Sequence, residues 1–298
     1  MKKNKSRSGL LLILIICLLI LLIGLIQFIA HGNSSTSDIP SEIAGGSLTI
    51  TNLNVGKADC AVLQAGDIVG MIDTGTYDAY STIDSFLKDN SITEIDFLIL
   101  THYDQDHIGS AVKILSSVDV KNIYLADYVS QKEYYAGLMD SIKTRENVYF
   151  VNENISFDYN NLSIDIYPAS SPEVLLSDSQ NMDNNMSLVS MITFGTKKFL
   201  FTGDIEKDRI EQVINDGYSL TADWIKMPHH GGYTKNTADL LTIVDPAYAV
   251  ISTSSERPAE EKLTDLLSSL GIETYNTTYG TIVTYCDKNS IQITQKSN

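Results

Sequence analysis

The sequence predicts an α/β layered sandwich, with β-sheets packed on one another and helices outside, carried on one N-terminal transmembrane helix. Three observations carry this reading. A single uninterrupted apolar run near the N-terminus has membrane-spanning length. Beyond about residue 47, short apolar or alternating runs bounded by turn residues recur between segments of helical spacing, over a stretch long enough for one large domain. Histidines and aspartates gather at the ends of apolar runs instead of scattering along the chain.

Lys2, Lys3, Lys5 and Arg7 precede a segment with no Lys, Arg, Asp or Glu until Asp38, and Leu10 to Ala30 is almost wholly apolar. About 20 helical residues cover the roughly 30 Å hydrocarbon core, whereas the apolar heart of a cleavable signal is about 7 to 15 residues long, so the run reads as an uncleaved anchor. Positive charge before the span and none near its far side places the N-terminus inside the cell and the remainder outside. The expected organisation is a basic cytoplasmic tip over 1–8, an anchor over 9–30, a small-residue polar linker over 31–46 and a folded extracellular domain over 47–298. Cys17 lies within the apolar run as a packing residue; beyond it stand Cys60 and Cys286, whose spacing assigns no pairing.

Of the 21 Lys and Arg residues four precede the span, leaving 17 against 37 Asp and Glu. A body this acidic does not grip nucleic acid through its overall field. A polyanionic substrate would have to be held by metal and a local patch.

Strands are predicted near 48–55, 60–65, 67–73, 95–100, 121–126, 161–167, 187–193, 197–202, 222–227, 247–252, 280–285 and 291–295. Helical spacing falls on 80–87, 108–115, 132–142, 205–214, 237–243 and 259–270.

The chemistry concentrates in three segments. In Thr101-His102-Tyr103-Asp104-Gln105-Asp106-His107-Ile108-Gly109 a buried strand runs into a helix, and four ligand-type side chains fall within six residues. One ion is expected to take His102 and Asp104, another Asp106 and His107. A helix cap alone needs one acid, not this cluster. Thr202-Gly203-Asp204 closes an apolar strand with a carboxylate placed to bridge both ions. Lys226-Met227-Pro228-His229-His230-Gly231 sets paired imidazoles at a strand end, of which His229 is the preferred ligand and His230 the second choice. Four of the five histidines lie in these clusters, which favours a metal site over unrelated core histidines.

Together these segments resemble the metallo-beta-lactamase superfamily, and specifically the hydrolase domain of ComEC-like DNA-uptake proteins and related phosphodiesterases. Asn52 to Asp59 looks like the opening strand and glycine turn of that group, and Ile72-Asp73-Thr74-Gly75 like its early strand-end aspartate. The resemblance spans roughly 48 to 295 and implies an αββα sandwich, two divalent metal ions and a hydrolytic reaction. The sequence departs from the wider superfamily at Asp104, which stands for a histidine, and at Asn184-Asn185-Met186-Ser187, where another histidine is expected. Oxygen in place of nitrogen hardens the site, which tilts its preference from zinc towards manganese or magnesium, with zinc retained as an alternative. A Gly-His-Pro of the ComEC-like group reads Glu256-Arg257-Pro258 here.

The implied mechanism is an in-line displacement at phosphorus, with a metal-activated water oriented by Asp104 or Asp106 and Lys226 meeting the phosphate charge. Asp73 is expected to steady a ligand histidine, with Asn185 a further candidate near the ions. The expected function is a membrane-anchored extracytoplasmic phosphodiesterase acting on DNA, a nucleotide or a cell-wall phosphodiester. Its alternatives are a hydrolase of other esters or lactones and a binding module of the same fold that has lost turnover. Asp73-Thr74-Gly75 also resembles an aspartic protease signature, but that chemistry needs two carboxylates sharing a proton and leaves the histidines unexplained.

Overall fold

A computed structural model of the chain describes residues 46–175 and 182–296. The expected tip, the anchor, residues 31–45 of the linker, and Cys17 and His31 with them, lie outside the described residues. Among the described residues no helix is long and apolar enough to cross a membrane.

The chain opens with β1 (Leu48–Asn52), β2 (Ala61–Ala65) and β3 (Ile68–Ile72), each antiparallel to the one before. Then β4 (Glu94–Leu100), β5 (Asp119–Ala126) and β6 (Val148–Val151) extend the sheet in parallel. A second sheet forms from β7 (Ile155–Tyr159), β8 (Leu162–Tyr167), β9 (Val189–Phe194) and β10 (Lys197–Phe201), antiparallel in turn. It continues in parallel through β11 (Trp224–Lys226), β12 (Tyr248–Ile251) and β13 (Glu273–Asn276). Finally β14 (Thr281–Cys286) and β15 (Ile291–Lys296) return to the first sheet beside β1. The sheet orders are β15-β14-β1-β2-β3-β4-β5-β6 and β13-β12-β11-β10-β9-β8-β7.

Period-two alternation assigns the faces of the second sheet. Leu200, Ile225, Ala249 and Ile251 pack with Ile210 and Val213 of the helix Lys207–Asn215, Leu240 and Val244 of Thr237–Val244, and Leu263 and Leu267 of Glu261–Ser269. The intervening residues Phe199, Phe201, Trp224 and Val250 join the other core, with Ile50 and Ile282 of the first sheet. The expected α/β sandwich is therefore the observed fold. Lys226 follows Trp224 by two residues and so points into the gap between sheets.

Three strands escape the sequence pattern, β6, β7 and β13, and all three are sheet edges. Each is only four or five residues long and mostly half-buried or exposed, so the apolar run of β6 and the alternation of β7 are too short to stand out, and β13 carries neither.

Cys60 and Cys286 are both buried and free. Cys286 pairs with Leu48 at one end of β1, while Cys60 faces Leu53 at the other. Five strand residues, roughly 17 Å at about 3.4 Å each, separate them, far beyond disulfide reach.

Candidate metal centre

The parallel strands β3, β4, β10, β11 and β12 all end at one rim of the sandwich. The rim collects Asp73, His102, Asp204, His230 and Ser252 from the segments that follow them. After β4 the chain stays extended to Asp104 and then makes one helical turn, Gln105–Ile108, which carries Asp106 and buries His107.

His107 is held from behind. Its Nδ1 lies 2.7 Å from Asp73 Oδ2, and Asp73 also accepts from the Thr101 backbone N–H and hydroxyl, each at 2.8 Å. With Nδ1–H donated to Asp73, Nε2 is free for a ligand role, as in the carboxylate–histidine pairs of metal sites. Asp73 thus stands behind a ligand-type histidine and reaches the centre through it.

His230 has a matching arrangement, its Nδ1 lying 2.9 Å from the Ser252 carbonyl. Adjacent His229 and His230 both adopt left-handed backbone, with φ of 47° and 52°. Such strain in non-glycine residues persists only where the surroundings enforce it. The turn sends the two rings apart: His230 is sealed at the rim, while His229 is 35% exposed with Nδ1 3.4 Å from Glu206 Oε1. His230, not the preferred His229, is the ring that the structure brings to the cluster.

Four side chains converge. His107 Nε2 lies 3.3 Å from Asp204 Oδ2, His230 Nε2 3.2 Å from the same oxygen, and His230 Nε2 3.3 Å from Asp106 Oδ2. Ligands tetrahedrally placed about 2.0–2.1 Å from an ion stand about 3.3–3.4 Å from one another. His102 Nε2, His107 Nε2, His230 Nε2 and Asp204 Oδ1 are buried and make no hydrogen bond. Orphaned buried polar atoms aimed at one another at ligand spacing fit a divalent cation.

Protons and ion pairs balance the charge of this cluster. Burial opposes charge on His107, but Asp204 and Asp73 outweigh it and hold the imidazole well above its ordinary value. His230 is raised to about 9: burial opposes this, and Asp204 and Asp106 prevail. Asp204, although buried, is held well below the carboxylate range by His230 and His107. His102 stays neutral, lowered by burial and by the charge on His107.

The remaining expected residues sit elsewhere. Asp104 Oδ1 turns away to Lys132 Nζ at 2.7 Å, so its pairing with His102 around an ion is not formed. It stands at the N-cap of the one-turn helix without capping it. Asn185 Oδ1 accepts from the Glu206 N–H at 3.0 Å and is likewise engaged. Lys226 is not a surface lysine: it is 3% exposed, bonded to Asp59 and 4.0 Å from Asp204 Oδ1. Burial lowers its pKa, yet Asp59 and Asp204 together hold it above the ordinary lysine value. A substrate phosphate cannot reach it there.

Asp59 closes the glycine turn that the sequence marks, but its role at the site is not legible there, because its lysine partner is 167 residues away. Gly203, at φ +54°, lets the Asp204 turn pass Ser187 and Thr101; a Cβ there would meet Ser187 Cβ at 2.8 Å.

Residues 53–177 match the metallo-beta-lactamase superfamily. The chain is 25% identical over 261 residues to ComE operon protein 3 of Bacillus subtilis (strain 168), covering 80% of this chain and 33% of that protein. Against competence protein ComA of Neisseria gonorrhoeae it is 25% identical over 216 residues, covering 72% and 28% respectively. It thus spans about a third of the length of these curated relatives. A solved metallo hydrolase of Ignicoccus hospitalis shares the fold, with TM-score 0.53 at 15% identity, over 84% of this chain and 100% of that one. The chain thus matches the metallo-beta-lactamase superfamily over residues 53–177, has its fold, and is similar to competence proteins over most of its own length.

Proposed function

We propose that this metallo-beta-lactamase-fold protein is a metal-dependent phosphodiesterase, held at the outer face of the cell membrane by its N-terminal apolar segment. The observation that carries the reading is the ring of Asp106, His107, Asp204 and His230, in which the facing atoms of the Asp106–His230, His230–Asp204 and Asp204–His107 pairs stand 3.2–3.3 Å apart. Divalent metal, when bound there, supplies an activated water and a Lewis acid for the phosphoryl oxygen.

The chain's own residues do the rest. Asp73 and the Ser252 carbonyl fix the tautomers of His107 and His230, so that both present Nε2. Asp106, 23% exposed, stands at the open side of the ring, where it can orient an incoming water. Lys226 offsets the charge of Asp59 and Asp204 from beneath, keeping two buried carboxylates tolerable. The acidic body supports a substrate gripped locally at the metal, not one bound along an extended surface. Kinship with competence proteins favours DNA, with nucleotides and cell-wall phosphodiesters as the other candidates.

Hydrolysis of bis-p-nitrophenyl phosphate with added manganese, zinc or magnesium tests this. Metal-dependent release of nitrophenol, lost in Asp204→Ala and His230→Ala variants that still bind substrate and melt cooperatively, is the expected result. Cleavage of carboxylic esters but of no phosphodiester under any ion would overturn the phosphodiesterase reading.

A further inference from the structure

The two ion positions that the motif suggests are not equally furnished. Asp106, His107 and His230 offer ligand atoms to one another, and Asp204 faces both His107 and His230, at 3.3 and 3.2 Å. On the His102 side, the side chains that would complete a second shell are committed elsewhere. Asp104 Oδ1 is 2.7 Å from Lys132 Nζ, and the same ammonium lies 4.0 Å from Asp183 Oδ2. Asp183 is anchored in turn by the hydroxyls of Tyr128 at 2.9 Å and Ser130 at 2.5 Å, so the lysine's second partner is fixed in place. Asn185 serves the Glu206 N–H. Ser187 Oγ is occupied by the Asp204 N–H at 3.1 Å and lies 3.2 Å from His102 Nδ1. What remains for a second ion is His102 Nε2, buried and without a hydrogen bond, and the Asp204 carboxylate, which groups with His102 and His107; Asp104 Oδ1 makes no hydrogen bond but is held by its ion pair with Lys132.

We propose that the centre is unequal by construction: Asp106, His107, Asp204 and His230 hold one ion tightly. A second ion binds weakly at His102 and Asp204, because Lys132 holds Asp104 out of its shell. An ion with two protein ligands fills the rest of its coordination with water or substrate oxygens, as hard cations at phosphate sites do. The inference rests on reading the cluster as a metal centre and not on any particular substrate.

Metal binding by the full-length chain in detergent tests it without reference to activity. After stripping, the protein is titrated with zinc and with manganese by calorimetry, and metal retained through gel filtration is counted by mass spectrometry. The expected result is one retained ion per chain and a second binding step weaker by at least ~10–100-fold. His102→Ala should keep the retained ion and lose the second step; His230→Ala should lose the retained ion. Lys132→Met, which frees Asp104, should tighten the second step by about tenfold or more, while Lys132→Met with Asp104→Ala should not.

Two ions of equal affinity in the wild type, or loss of the tight ion in His102→Ala, would overturn the proposal while leaving the metal-centre reading intact. An unchanged second step in Lys132→Met would also overturn it. No binding of either ion would overturn both.

Discussion

Asp73 Oδ2 and His107 Nδ1 lie 2.7 Å apart, both fully enclosed, in a contact that joins the end of β3 to the helical turn after β4. Removing the carboxylate leaves the His107 ring, the Thr101 N–H and the Thr101 hydroxyl without their shared acceptor. Asp73→Ala should therefore weaken metal binding by ~10–100-fold and destabilise the fold by a few kcal/mol, at about 1–3 kcal/mol for each unpaired buried group. Metal titration and urea denaturation measure the two effects. Asp73→Asn, which keeps an acceptor, should lose less of each. Equal losses in the two variants would argue against an accepting role for this residue.

Metal and protons compete for the same imidazoles. In the metal-free protein His230 titrates near 9, above its ordinary 6.5, and His107 is raised as well. Their pairing with Asp204 and Asp106 therefore stabilises the metal-free fold fully below about pH 6.5 and is lost as pH rises through about 9. Ligation needs the neutral ring, so the stabilisation conferred by metal should grow over that same window. Melting temperatures with and without zinc between pH 6 and 9 check the trend, and a metal-induced gain that stays flat would contradict it. Binding near neutral pH should also release about one to two protons per ion, read by calorimetry in buffers of different ionisation enthalpy.

Lys226 divides two readings cleanly. As a buried counter-ion to Asp59 and Asp204, its replacement by Met should cost about 3–5 kcal/mol, because it strands buried charge. Adding Asp59→Asn should restore part of that loss. A surface lysine that touched only substrate would leave the denaturation midpoint unmoved and raise KM alone.

The two cysteines of the folded domain should react with a thiol reagent only after denaturation. Both are buried, and burial pushes the Cys286 thiol up to about 11 and the Cys60 thiol higher still. Prior reduction should not change the count of reactive thiols in the unfolded protein, since a disulfide between opposite ends of β1 is geometrically excluded. A rise in free thiol on reduction would contradict the register of β1 against β14 and β2.

The layered α/β class, its central strands and the segments that meet at the rim are legible in the order of residues alone. Those properties are local: a buried strand writes itself as an apolar run, and ligand residues at a strand end stand next to the turn that aims them. His102, Asp106, His107 and Asp204 were legible for that reason. The tertiary structure alone decided how each side chain was used. Asp104 looks like a ligand until Lys132, from a different loop, claims it. His229 looks the better ligand in the sequence until two successive left-handed residues bring the His230 ring to the cluster and leave the His229 ring beside Glu206. Lys226 becomes a buried counter-ion because the alternation of β11 points it between the sheets, toward an aspartate 167 residues away. Spacing along the chain specifies which groups arrive at a site, whereas the charge and hydrogen-bond partners that claim them come from distant segments, and only folding brings those within reach.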